Sequence, residues 1–328
     1  MKAIQITARD QTQFVEVPIP ELRAGHALIR PLRLSLCASD IFMLRYLSPK
    51  QYPLPPGTSG HELVGEVVAL ADEANEAEVA VGDFTLTIAP EQAAMAEYYL
   101  APLHNVLPVP PGVPMEHLVQ AQQLGTVIYA CKQLPNLIGK DVVVVGQGSA
   151  GMWFNFMLKR LGARRIIVVD LQAHRLAVSP LYGATHTIHN AIVEPMQALK
   201  EITGGHLADV VIEAAGETSS INLAIELVRD NGFMLQFGVP HENVFPVNYY
   251  SMFRKCVTHK SIVFASREPR HASTRMALNM IANGEIDVAP LITHRFPFEQ
   301  VPEAYELQAT RDEGAIKIII EMPGKNGK

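Results

Sequence analysis

The sequence predicts an α/β protein: a doubly wound parallel sheet domain joined to a second, mostly β domain. Three observations predict it. From Asp141 onward, near-continuous apolar runs alternate with helical segments, as parallel strands covered on both faces do. A glycine turn, Gly146-Gln-Gly148-Ser149-Ala150-Gly151, follows the first of these runs and opens a helix. Residues 1 to about 110 carry short β-type runs broken by proline and glycine instead. With 328 residues and roughly 150 residues per domain, two domains are expected.

The early strands are read at Ala27-Leu-Ile-Arg-Pro31, Leu63–Leu70 and Phe84–Ile88, and the proline-dense Val106–Gly112 marks a boundary. A helix is expected near 115–134. The parallel strands then fall at Val142–Val145, Ile166–Asp170, Ala208–Ala214, Phe233–Gly238 and Ile262–Ala265. An amphipathic helix near 271–283 and a last strand, Ala315-Ile-Lys-Ile-Ile-Ile320, end the chain.

Composition narrows the function. Hydrophobic residues make up 48% and charged residues 18%, an ordinary globular balance. The net charge of −6, with no basic run, argues against a nucleic-acid partner, since phosphate binding needs clustered lysine and arginine. No apolar stretch reaches the length of a membrane span, and the Met-Lys-Ala-Ile-Gln-Ile start lacks a signal-peptide core, so a soluble cytoplasmic protein is expected. Cys37, Cys131 and Cys256 stand far apart, which fits a reducing compartment.

In the glycine turn, Gly146 permits the tight bend, Gly148 lets a pyrophosphate approach the backbone, and Gly151 allows helix to pack on strand. Phosphates then meet the amides of Ser149 and Ala150 at the helix start. Asp170, at the end of the next strand, can accept both hydroxyls of an adenosine ribose and would repel a 2′-phosphate. NAD is therefore favoured over NADP, with Arg175 able to offset part of that repulsion.

A second pair of motifs, Cys37-Ala-Ser39-Asp40 and Gly60-His61-Glu62-Leu-Val-Gly65, offers a thiolate, an imidazole and carboxylates. These donor types suit a catalytic zinc, which keeps one position open for water or substrate.

With both motifs in view, the chain resembles, nearly end to end, the zinc-dependent medium-chain alcohol and polyol dehydrogenases. Further marks are small residues at Ala71 and Ala74, Val81-Gly-Asp83, Ala96-Glu-Tyr-Tyr99, His294-Arg-Phe-Pro-Phe298 and Glu303-Ala-Tyr305. The resemblance implies a GroES-like catalytic domain, residues 1–122 with 267–328, and a Rossmann domain, residues 123–266. It implies a zinc on Cys37 and His61, Ser39 passing the substrate proton, and Asp40 orienting the His61 imidazole. Gln122 takes the third ligand position, where relatives carry cysteine or glutamate, with Glu62 as the alternative. The four-cysteine lobe expected between Phe84 and Ala96 is missing, which implies one catalytic zinc and no structural zinc. Phe42 stands where a relay histidine is usual.

The nicotinamide is expected near Ala215-Gly216 and Phe237-Gly-Val239, at the carboxyl ends of the strands. Phe42, Tyr46, Tyr52, Trp153 and Phe264 are candidate pocket walls by analogy. The implied substrate is a small alcohol or carbonyl, favouring a secondary alcohol, polyol or sugar. Two other readings stay open, a zinc-free NADPH quinone or enone reductase of the same superfamily and a non-catalytic dinucleotide-binding protein. An apolar last strand, Ser261–Ala265, is a liability unless it pairs, and the resemblance implies that it joins its mate across a twofold axis, hence a homodimer or homotetramer.

Overall fold

The computed structural model describes residues 1–71, 79–263 and 265–324, so Ala74 and Phe264 lie outside the described residues. The chain divides into one unit of Met1–Gly125 with Phe264–Lys328 and a second of Thr126–Val263.

The first unit opens with an antiparallel hairpin, β1 (Lys2–Ala8) on β2 (Gln11–Glu16). There follow β3 (His26–Ser35), α1 (Ala38–Arg45), β4 (Glu62–Leu70), β5 (Phe84–Ile88), β6 (Tyr99–Pro102) and β7 (Val106–Pro108). Strand β3 survives a proline in its interior because its pairing with β4 is irregular there, between Pro31 and Arg33. Pro31 lies opposite Gly65, where any Cβ would overlap the Arg30 carbonyl. The helix expected over 115–134 is two pieces, α2 (Met115–Leu118) and α3 (Ala121–Cys131).

The second unit alternates strand and helix: β8 (Asp141–Val145), α4 (Ser149–Arg160), β9 (Arg165–Asp170), α5 (Ala173–Val178), β10 (His186–His189), α6 (Pro195–Thr203), β11 (Ala208–Glu213), α7 (Thr218–Leu227), β12 (Val228–Gln236), α8 (Tyr249–Arg254) and β13 (Thr258–Ser261). Every pairing is parallel, in the order β10-β9-β8-β11-β12-β13. The chain winds outward from β8 in one direction and then, from β11, in the other. Ligands of such sheets bind at the carboxyl ends beside that reversal. Val142, Val143 and Val144 are wholly buried, as a central strand covered on both faces requires.

Two expectations need correction here. The last strand of this sheet is Thr258-His-Lys-Ser261, exposed at every residue, and it ends before the apolar Ile262 and Val263. An edge strand facing water is protected by polar and charged side chains, which a search for apolar runs passes over. Trp153 is no pocket wall: it is fully buried on α4 and meets Tyr182 edge-on at 5.7 Å.

The chain then returns to the first unit with α9 (Ala272–Ala282), β14 (Ile292–Pro297), α10 (Val301–Thr310) and β15 (Lys317–Glu321). There β15 lies between β14 and β3, giving the order β14-β15-β3-β4-β5-β7 with β6 also on β3. This places β15 beside the start of α1 and the end of β3. Among the described residues, no helix is long and apolar enough to cross a membrane.

Candidate metal centre and cofactor turn

In the first unit, Cys37 sits between the end of β3 and the first turn of α1, and His61 immediately precedes β4. Asp40 holds the two segments together. Its Oδ2 accepts the Cys37 backbone N–H at 2.7 Å, and its Oδ1 accepts the Gly60 N–H at 2.8 Å and the Ser59 hydroxyl at 3.1 Å. Tyr305 of α10 donates to Ser59 Oγ at 2.7 Å, so a third element pins the loop. Gly60 has φ +79°, and a Cβ there would strike the Leu34 side chain. The stretch after β5 braces the same loop, with Ala94 N–H donating to Ser59 O at 3.1 Å and Met95 N–H to Gly57 O at 3.1 Å.

This framework brings ligand atoms of Cys37, His61 and Glu62 within 4.8 Å of one another. Glu62 is entirely buried, and its two oxygens differ. Oε2 forms an ion pair with Lys317 Nζ at 2.6 Å and accepts the Ser35 hydroxyl, while Oε1 has no hydrogen-bond partner and lies 3.8 Å from His61 Nε2. The Asp40 carboxylate stands 3.8 Å from His61 Nδ1, beyond hydrogen-bond length, so its shorter bonds are those to the backbone.

The amide facing Cys37 belongs to Gln123. Its Nε2 lies 3.7 Å from Cys37 Sγ, and its buried Oε1 has no partner. The sequence put this role on Gln122, the preceding residue, which is half-buried. Ser39 Oγ, two residues from Cys37, is likewise buried and unpartnered. Sequence reasoning missed Gln123, Ser35 and Lys317. A signal existed for the last, a lone lysine inside the apolar run Ala315–Ile320.

Electrostatics couple the cluster. Burial pushes the Cys37 thiol up and Glu62 adds to this, but the hydrogen bond and charge of His61, with Lys317, bring it below its ordinary value. Burial works against a charged His61, yet the nearby Asp40 carboxylate and Cys37 thiolate raise it well above the usual range. Asp40 is held below the usual carboxylate range, burial being outweighed by His61 and by the backbone N–H groups of Gly60 and Cys37. A thiolate, an imidazole and a carboxylate oxygen, with an unpaired amide oxygen beside them, form a donor set that fits zinc. The buried atoms left without partners are those a metal and its substrate would satisfy.

In the second unit, Gly146 has φ +97° and Gly148 caps α4. A Cβ on Gly151 would overlap the Gly146 carbonyl, which is the close helix packing expected of it. Ser149 and Ala150 form the first turn of α4. Asp170 Oδ2 accepts the Gln147 N–H at 2.6 Å and Oδ1 the Gln172 N–H at 2.7 Å, tying the turn to the end of β9. The nearly buried Arg175 guanidinium reaches to 3.8 Å from where a Gly148 Cβ would stand, beside the turn. Phe237 packs edge-on against Phe154 at 4.9 Å, with Val239 two residues further on. Tyr52 donates its hydroxyl to the backbone of Met43 and Leu44 and packs on the core of the first unit, while Phe42 stacks toward Tyr46 at 6.2 Å.

Residues 23–111 match the alcohol dehydrogenase GroES-like domain, and residues 150–283 match the zinc-binding dehydrogenase family. The chain belongs to the zinc-type medium-chain alcohol and polyol dehydrogenases. Its curated relatives include L-threonine 3-dehydrogenase of Pectobacterium atrosepticum, 23% identical over 96% of this chain and 93% of the relative. Sorbitol dehydrogenase 1 of Saccharomyces cerevisiae is 27% identical, with coverage of 93% and 94%. Two solved structures share the fold over 98% of this dehydrogenase. One is a short chain alcohol dehydrogenase from Escherichia coli CFT073 complexed with cofactor NADH, with TM-score 0.84, 21% identity and 99% of that chain covered. The other is a dehydrogenase from Sinorhizobium meliloti 1021 bound to NADP, with TM-score 0.82, 20% identity and 98% covered.

Proposed function

We propose that this dehydrogenase uses one zinc, held by Cys37, His61 and Glu62 Oε1 with Gln123 completing the set, to transfer a hydride between NAD and a secondary alcohol, polyol or sugar. The observation that carries this is the clustering of Cys37, His61 and Glu62 ligand atoms within 4.8 Å, with Glu62 Oε1 buried and without a partner and the Gln123 amide 3.7 Å from Cys37 Sγ. Zinc supplies a Lewis acid that lowers the pKa of the substrate hydroxyl. Ser39 Oγ accepts that hydroxyl's proton and passes it on through water, since Phe42 offers no base. Asp40 fixes the spacing of the Cys37 and His61 segments through their backbone, and Lys317 holds Glu62 by its far oxygen. The names of the sorbitol and threonine relatives support a secondary-alcohol substrate.

Asp170 supports NAD over NADP, because a carboxylate at the end of β9 repels a 2′-phosphate. Three unpaired cysteines suit a reducing, cytoplasmic setting. A homodimer or homotetramer is supported by apolar side chains left exposed on and near α8, among them Val244, Tyr250 and Phe253. A monomer at micromolar concentration would count against that assembly.

Metal analysis together with NAD reduction over a panel of alcohols tests the reading. Cys37→Ser and His61→Ala should lose both metal and turnover, and Ser39→Ala should lose turnover alone. A metal-free reductase active on enones with NADPH, or a protein that binds dinucleotide without turnover, would replace it.

A further inference from the structure

Glu213 is the last residue of β11, wholly buried, and belongs to none of the roles above. A central strand of a doubly wound sheet ordinarily places an apolar side chain at such a position. This carboxylate is instead saturated with donors from the loop after β11, from α7 and from the end of β12. Oε1 accepts the Ala215 N–H at 2.8 Å, the Gly216 N–H at 2.8 Å and the Ser220 hydroxyl at 2.7 Å. Oε2 accepts Gln236 Nε2 at 2.6 Å, and that nitrogen also donates to the Gly238 carbonyl at 2.9 Å. The Glu213 backbone carbonyl accepts the Phe237 and Gly238 N–H groups at 2.9 and 3.0 Å.

The loops after β11 and β12 interlock above it. A Cβ at Gly216 would overlap the Val239 backbone, and one at Gly238 would overlap the Gly216 backbone and the Glu213 carboxylate. The phosphate turn joins them, since a Cβ at Gly146 would lie 3.0 Å from the backbone of Ala214 and Ala215. One buried side chain thus fixes loops at the carboxyl ends of β11 and β12, and the first glycine of the β8 turn rests on them.

We propose that Glu213 is a positioning residue, whose carboxylate ties residues 214–216 and 236–239 into the single surface against which the nicotinamide half of the dinucleotide lies. This rests on the cofactor reading above. Local rules of strand composition are broken most often where function demands it. Burial also pushes the Glu213 carboxyl up despite its donors, so the group is kept at some expense in solvation.

The test compares binding of NAD+ with binding of ADP-ribose, which lacks the nicotinamide. Glu213→Asp keeps the charge but shortens the reach, so NAD+ affinity should fall by about tenfold or more while ADP-ribose affinity stays within about threefold. Glu213→Gln keeps the reach, and Gln236, turned over, can offer it the Oε1 that now has no partner. That variant should recover most of the NAD+ affinity. Gln236→Leu severs the Oε2 link and the bond to the Gly238 carbonyl while leaving the Oε1 bonds, and should show the same selective loss, which keeps the test decisive if Glu213→Asp does not fold. Equal losses for both ligands, or an unchanged ratio in Glu213→Asp and Gln236→Leu, would overturn the proposal. Wild-type protein that binds neither ligand would instead overturn the cofactor reading itself.

Discussion

Lys317 and Glu62 form an ion pair at 2.6 Å with side chains 1% and 0% exposed. Desolvating two such charges costs several kcal/mol per ion, so the pair is weak evidence for stability and stronger evidence for a role. Lys317 occupies one carboxylate oxygen and leaves the other facing His61. Lysine and zinc therefore compete for the same charge. Lys317→Met should destabilise the metal-free protein by about 3–5 kcal/mol, the usual result of stranding one buried partner. The zinc-loaded protein should lose less, because Glu62 then has a second cation. Denaturation curves with and without zinc check this, and an equal loss in both forms contradicts the competition.

Gln123 and Gln122 can be separated directly. Gln123→Ala should weaken zinc binding by about tenfold, roughly 1.4 kcal/mol, and Gln123→Glu should tighten it by restoring a carboxylate. Gln122→Ala should change it little. Competition with a chromogenic chelator measures all three, and the reverse ranking would move the ligand back to Gln122.

The pH dependence of the metal-free protein follows from Asp40 and His61. Asp40 is depressed in the folded state, so its contribution is complete above its unfolded value of about 3.9 and is lost as pH falls through the lower folded value. His61 is raised, so its contribution is complete below about 6.5 and is lost as pH rises through the higher folded value. Asp40→Asn should therefore reduce stability most at weakly acidic pH, where both partners are charged, and least at the two extremes. Urea midpoints measured from about pH 2 to about pH 9 give the profile.

Asp170 accepts two backbone N–H groups besides any ribose. Asp170→Asn leaves one good acceptor for two donors and removes the negative charge. NAD+ affinity should fall while NADP+ affinity falls less or rises, narrowing the preference. Steady-state kinetics with both cofactors measure the ratio, and an unchanged ratio would remove Asp170 from cofactor choice.

The elements legible in the sequence were those with a local signature. The Val142–Val145 run, the three glycines and Asp170 sit within one strand-turn-helix-strand unit, and the structure repeats it. Cys37, His61 and Glu62 meet because β3, α1 and β4 follow one another. What escaped needed three-dimensional information. One step along a helix turns a side chain by about 100°, so Gln122 and Gln123 look alike in sequence and point differently. Lys317 is 255 positions from Glu62 and reaches it only because β15 joins β3. Glu213 falls inside the strand read at Ala208–Ala214 with no local mark of its role, and β13 was passed over because its residues are polar.

The most direct test of the zinc-dependent reaction is turnover of NAD+ with a panel of secondary alcohols and polyols, before chelation, after it, and after zinc is returned. Activity should vanish with the metal and come back with it, and Cys37→Ser should stay inactive whatever zinc is supplied. Full turnover by metal-free wild-type protein would contradict the assignment of Cys37, His61 and Glu62 as a catalytic metal site.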